Sequence, residues 1–346
     1  MALDGLRGVA ALAVACFHIF SYFQLPFYPY HAYLAVDFFF MLSGFVIAHS
    51  YDRRLSGQMK IRGFLKVRLI RLYPLVLLGI LLGTSAFLLA ALVGGHIYLP
   101  TLLQAAATNA LLLPSPAMTY LRPWAFPVDT PLWSLAFEFW INILYACCFK
   151  YLNKISLTAA LLLGAVLLCW TAITFNGLDV GYAWPSFYLG GARVLFPFVL
   201  GIVMSRYLLS HTTYSQWAHA TWLPLVAILF APAFMGGYYD IVAVLLIFPL
   251  ILLVAAHAGT NRFFDPLWRQ LGIISYPLYV LQYPFVVVLS NVAKAHHLAG
   301  FALATMVLLT MLIIITVATL ASRFYDIPVR KYLTYGTTAT RVKVVC

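Results

Sequence analysis

Long apolar runs separated by short polar breaks recur along the whole 346-residue chain. Runs able to cross a hydrocarbon core of about 30 Å, which takes about 20 apolar residues, fall near 8–24, 34–50, 72–93, 133–149, 156–174, 188–208, 222–236, 240–257, 271–291 and 299–322. They are continuous rather than alternating apolar with polar, so they predict helices and not barrel strands. The expected fold is all-α: a polytopic membrane helical bundle of about ten transmembrane helices, with the shorter apolar piece near 100–113 re-entrant or interfacial. A single membrane-embedded domain over 1–335 and a short cytoplasmic tail over 336–346 complete the expected organisation.

Composition supports this pattern. Hydrophobic residues make up 64% of the chain and charged residues 9%, with a mean hydropathy of +0.95, which excludes an ordinary soluble domain. A net charge of +12 raises the question of nucleic acid, but the charges sit at helix ends, so no nucleic-acid partner is expected. The densest group, Arg53, Arg54, Lys60, Arg62, Lys66, Arg68 and Arg71, lies between the second and third runs. Basic loops stay on the cytoplasmic side, which puts this connector and both termini inside, in a cytoplasmic membrane. Ten crossings leave only Arg122, Arg193 and Lys294 of the basic residues near the outer side. Counting 100–113 as an eleventh would export many of the others. Five cysteines show no C-x-x-C spacing, so neither disulfides nor a metal site are expected. The chain has no internal repeat and no recognisable cleavable signal.

Against this background a few polar residues need a reason. Arg7 and His18 are eleven positions apart in LRGVAALAVACFHIF. Eleven helical residues rise about 16 Å and return to nearly the same direction, so the pair shares a face. Ionisable groups in hydrocarbon usually face an interior cavity. His18 is either a hydrogen-bonded core residue or a general base, and Asp37, at the start of the second run, is expected to orient it. Glu138 is the one glutamate of the chain, in LWSLAFEFW with Trp133 and Ser134. It either pairs with a buried cation such as Arg193 or orients an acceptor hydroxyl near the outer side. Pro114, Pro116, Pro123, Pro127 and Pro131 precede it and predict a loop that shapes a pocket.

Arg68 and Arg71 lie three residues apart at the expected inner boundary, where guanidinium groups suit phosphate recognition. Ser43 and Gly44 sit within FFFMLSGFVIA, where small residues admit a neighbouring helix or a ligand. In GIISYPLYVLQYP, Pro277 and Pro284 predict an interrupted helix beside a central lumen, with Tyr276, Tyr279 and Gln282 as its polar groups.

Read in order, LDGLRGVAALAVACFH, VDFFFMLSGFVI, FLKVRLIRLYP, LWSLAFEFW, GIISYPLYVLQYP and YDIPVRKYL resemble the integral-membrane acyltransferase family 3, from residue 3 to about 331. The resemblance implies transfer of an acyl group, commonly acetyl, from cytoplasmic acyl-CoA to hydroxyls of exported carbohydrates or glycoconjugates. It assigns Arg7 and His18 to the family's essential pair, Arg68 and Arg71 to its basic inner motif, and Glu138 to its WSL-x-x-E motif. Gln282 stands where the family often carries a histidine, so a second histidine cannot be essential here. The chain also begins inside the first motif, which leaves room for residues upstream of Met1.

The expected mechanism brings acyl-CoA, a substrate rather than a bound cofactor, against Arg7, Arg68 and Arg71, and the acceptor toward Glu138 from the outer side. Ser43, Trp133, Ser134, Arg193, Tyr276, Tyr279 and Gln282 line the pocket. His18 either deprotonates the acceptor hydroxyl or carries the acyl group itself. Two rivals have other signatures. A proton-coupled transporter would move substrate without consuming acyl-CoA and often shows inverted repeats. A scaffold of a polysaccharide export complex would keep the fold with His18 dispensable.

Overall fold

The computed structural model describes residues 2–27, 29–92, 95, 97–119, 121–208, 216–233 and 235–336. Within them the chain forms α1 (Ala2–Tyr22), α2 (Ala35–Ser56), α3 (Ile61–Leu92), α4 (Leu99–Ala110), α5 (Leu132–Cys148), α6 (Lys154–Thr174) and α7 (Leu189–Val203). After these come α8 (Trp222–Leu229), α9 (Gly237–Val242), α10 (Phe248–Ala256), α11 (Phe264–Ala295), α12 (Gly300–Ala321) and α13 (Ile327–Lys331). The only β-pairing among the described residues is an isolated bridge between Trp124 and Ala183. The expected tail lies outside the described residues from 337 onward.

Nine of the described helical runs are long and apolar enough to cross a membrane. They answer the expected crossings one for one except near 222–236, where the apolar helix is short, Trp217–Leu229. His219 near its start accepts from Trp268 Nε1, and the carbonyl of Ile228 near its end accepts from Tyr239. Asp4 and Arg330 line one cavity, so the start of α1 and the stretch after α12 lie at the same end. α4 has 12 residues, too few for a hydrocarbon core of about 30 Å. Its last carbonyl, on Ala110, accepts from Tyr73 Oη at 2.6 Å partway along α3. The chain turns back there, as a re-entrant segment does.

Close helix contacts explain two glycines. A Cβ on Gly44 of α2 would lie 2.0 Å from the carbonyl oxygen of Phe198, and one on Gly201 of α7 would lie 2.1 Å from that of Met41. The two backbones touch, which is the packing expected at Ser43–Gly44. One expectation fails. α11 runs unbroken through Pro277 and Pro284, because each proline deletes a single backbone donor and the packing of neighbouring helices keeps the helix continuous.

Candidate active site

Three cavities follow one another through the bundle. A mouth cavity of about 360 Å³ lies at the basic end, bordered by Asp4, Arg7, Arg71, Arg269, Tyr276 and Arg330. A middle cavity of about 80 Å³ shares Arg7, Arg71, Ser275 and Tyr276 with it and adds Ser43, Arg68, Ser134, Glu138 and Tyr279. An aromatic cavity of about 180 Å³ shares Val36 and Tyr279 with the middle one and contains His18. The sequence expectation of a lumen beside α11 is met without a broken helix.

The middle cavity is built by α2, α3, α5 and α11. Glu138 Oε1 accepts from Arg68 Nη2 at 2.8 Å and from Ser43 Oγ at 2.8 Å. Arg68 is buried, and its Nε has no hydrogen-bond partner. Arg71, about one turn after it on α3, is exposed, borders the opening and makes no ion pair among the described residues. The pair read together in the sequence therefore divides: Arg71 faces the mouth and Arg68 clamps Glu138. Arg7 reaches Asp4 at 3.5 Å and borders both of the first two cavities. At the far wall, the Tyr279 and Ser134 hydroxyls are 2.7 Å apart.

The aromatic cavity has walls from Phe17, Tyr22, Tyr33, Trp124, Trp133, Tyr182 and Tyr283. Flat faces of this kind stack against apolar or sugar surfaces while their polar edges hydrogen-bond. His18 lies among them, its ring 5.9 Å from that of Tyr283. Gln282 lies within hydrogen-bonding reach of the imidazole, and His18 Nδ1 has no hydrogen-bond partner among the described residues. Trp124 Nε1 and Thr130 Oγ1, also on this wall, are buried and unpartnered too. Buried polar atoms are nearly always paired, so a cluster of orphans in one cavity marks a place where a polar ligand completes the bonds. Asp179, on the loop after α6, is open to the cavity but enclosed by the bundle, and burial pushes its carboxyl up to about 6 against the opposing pull of Arg193. Burial likewise raises Tyr182 to about 12, with Asp179 adding to the effect.

Several sequence expectations change here. Asp37 does not orient His18: Arg193 takes both of its carboxylate oxygens, with Nε at 3.2 Å and Nη2 at 2.6 Å. Arg193 also donates to the carbonyls of Val180 and Tyr33 and lies 5.1 Å from the Trp133 ring centroid. A cation so fully engaged positions the wall of the aromatic cavity rather than reacting in it. Glu138 pairs with a buried cation, but with Arg68 instead of Arg193, because α5 carries it inward past the acceptor side. Tyr276, Tyr279, Ser134 and Trp133 all line the cavities, while Gln282 is fully buried beside His18 and lines none of the three.

Other members were missed. Tyr22, four residues after His18, was legible from helical periodicity alone. Arg122 was legible as one of the few cations away from the basic end. Asp240 was not, since its partners His31 at 3.2 Å, Tyr33 at 2.9 Å and the Leu178 amide at 2.7 Å come from distant segments.

Comparison with known proteins agrees with this picture. Residues 2–323 match the Acyl_transf_3 family, described as an acyltransferase domain. "Protein 2 in picA locus" of Rhizobium radiobacter is 40% identical over 158 residues, 42% of this chain and 79% of that protein. "Acyltransferase MdmB" of Streptomyces mycarofaciens is 31% identical over 231 residues, 59% of this chain and 56% of that protein, so the alignment spans little more than half of it. No solved structure matches. With helices of membrane-crossing length throughout and a family match over nearly all of its residues, the chain belongs to acyltransferase family 3 and is a multi-pass membrane acyltransferase.

Proposed function

We propose that this protein moves an acetyl group from acetyl-CoA, arriving from the cytoplasm, to a hydroxyl of a carbohydrate or glycoconjugate on the other side of the cytoplasmic membrane. The observation that carries the proposal is the sequence of cavities, basic at one end and aromatic at the other, joined through shared walls. Guanidinium groups of Arg7, Arg71, Arg269 and Arg330 suit the donor's phosphates, and a cationic mouth favours an anionic ligand before contact. Arg68 and Glu138 lie further along, where the uncharged pantetheine arm would pass, so a phosphate role for Arg68 is less favoured than the sequence implied. The thioester then reaches His18, beside Gln282.

An aromatic cavity with unpartnered donors suits an acceptor sugar, whose C–H faces stack and whose hydroxyls pair. His18 takes the proton of the acceptor hydroxyl as it attacks, a role worth about 10²–10⁴-fold. In proteoliposomes supplied with acetyl-CoA, His18→Ala is expected to abolish CoA release while leaving the melting temperature unchanged. Full CoA release by that variant would overturn the assignment. Mass spectrometry of surface glycans from cells with and without the protein is expected to differ by the acetyl mass.

A further inference from the structure

One corner of the aromatic cavity holds more hydrogen-bond donors than the fold consumes. Tyr22 sits one turn beyond His18 on α1, and both border this cavity together with Tyr283 of α11. The Tyr22 and Tyr283 hydroxyl oxygens are 2.6 Å apart. Arg122, reaching in from the proline-rich stretch, donates through Nη1 to Tyr22 at 2.8 Å and to Tyr283 at 3.4 Å. Its guanidinium carbon also lies 5.3 Å from the Tyr22 ring centroid. Two phenols hold two protons, and the bond between them uses one. The other has no acceptor among the described residues. Arg122 carries no proton acceptor of its own and fills lone pairs on both oxygens, which polarises the spare O–H outward. It has no carboxylate partner among the described residues, so the corner keeps its positive charge.

We propose that this corner stabilises the negative charge that develops during acyl transfer. The spare phenol O–H of the Tyr22–Tyr283 pair hydrogen-bonds the thioester carbonyl oxygen, and Arg122 is the positioning residue behind it. The inference rests on the acyl-CoA reading above. The acceptor oxygen bonds to the carbonyl carbon, its proton passes to His18, and the C=O π pair moves onto the oxygen that the phenol meets. Collapse re-forms the C=O and breaks the C–S bond, and the departing thiolate takes the proton from the His18 imidazolium. No further reactant is needed.

The proton count makes an unusual forecast. Tyr22→Phe or Tyr283→Phe alone leaves one O–H, still backed by Arg122, and each is expected to cost less than about tenfold in kcat. Removing both removes the donor, a loss on the order of 10²–10³-fold with KM for acetyl-CoA unchanged. The measurement is CoA release from acetyl-CoA by the full-length protein in detergent, with water as acceptor and again with octyl glucoside. The Tyr22→Phe/Tyr283→Gln variant returns an N–H to the site and is expected to recover at least about tenfold over the double phenylalanine variant. Multiplicative losses, or equal rates for the Phe/Phe and Phe/Gln variants, would overturn the proposal. Should the double phenylalanine variant not fold, the two single variants and the Phe/Gln variant decide. Both single variants within about tenfold of the unmodified protein, with the Phe/Gln variant about 10–10²-fold below it, uphold the proposal, and a hundredfold loss in either single variant, or a Phe/Gln variant as active as the unmodified protein, overturns it. Absence of any CoA release from the unmodified protein would instead overturn the acyl-CoA reading on which it stands.

Discussion

Among the described residues, the arginine–carboxylate pairs Arg193–Asp37 and Arg68–Glu138 are built in opposite ways. Arg193 and Asp37 are 1% and 0% exposed, joined by two contacts, and the guanidinium also donates to two backbone carbonyls. Arg68 and Glu138 share one contact, at 6% and 18% exposure, with Arg68 Nε unpartnered and the carboxylate shared with Ser43 beside a cavity. A pair in which every nitrogen and every carboxylate oxygen has a partner holds its neighbours in place. A pair with valences left over can exchange partners with a ligand. The two pairs thus differ in saturation more than in charge.

The comparison can be broken most severely at Asp37. Asp37→Asn would leave Arg193 buried and unbalanced, at a cost of about 3–5 kcal/mol. Little monodisperse protein is expected on size exclusion in detergent, and a variant melting like the unmodified protein would end the distinction. Glu138→Gln should do the reverse. It keeps an acceptor for Arg68 and Ser43 next to accessible space, so the melting temperature is expected to stay within about 2 °C while acetyl-CoA turnover falls by about 10²-fold or more. An active Glu138→Gln protein would make both pairs structural.

The smallest effect is expected at Asp179, a carboxylate with no cation bonded to it. Its carboxyl is raised to about 6, so between about pH 4 and pH 6 the folded protein keeps a proton that the unfolded chain releases. Folded stability therefore falls as pH rises through that window. Because the group is open to cavity water the effect is screened, to about 1 kcal/mol. Asp179→Asn is expected to melt with the unmodified protein at pH 4 and about 2 °C above it at pH 7. A gap that narrows with rising pH would contradict the assignment.

The sequence showed the outline of this molecule well. Crossings follow from runs of apolar residues, and a shared face for Arg7 and His18 follows from helical geometry, because both are local facts. Asp37–Arg193 spans 156 positions and Arg122–Tyr283 spans 161, and nothing local distinguishes those partners from the alternatives. The buried cation paired with Glu138 turned out to be Arg68 rather than Arg193 for a related reason. Depth along one helix was legible, but not which helix faced it at that depth. Pro277 and Pro284 misled in the other direction, since a missing donor predicts a break only when packing does not enforce continuity.

The contact at Tyr279 and Val36, the wall common to the middle and aromatic cavities, has a meaning beyond catalysis. Cells keep a voltage and a proton gradient across such a bilayer, and a passage open from both ends would discharge them. Val36 and Tyr279 line both cavities, and the Tyr279 hydroxyl is held by Ser134, so a substitution that opens this wall is expected to admit protons as well as substrate.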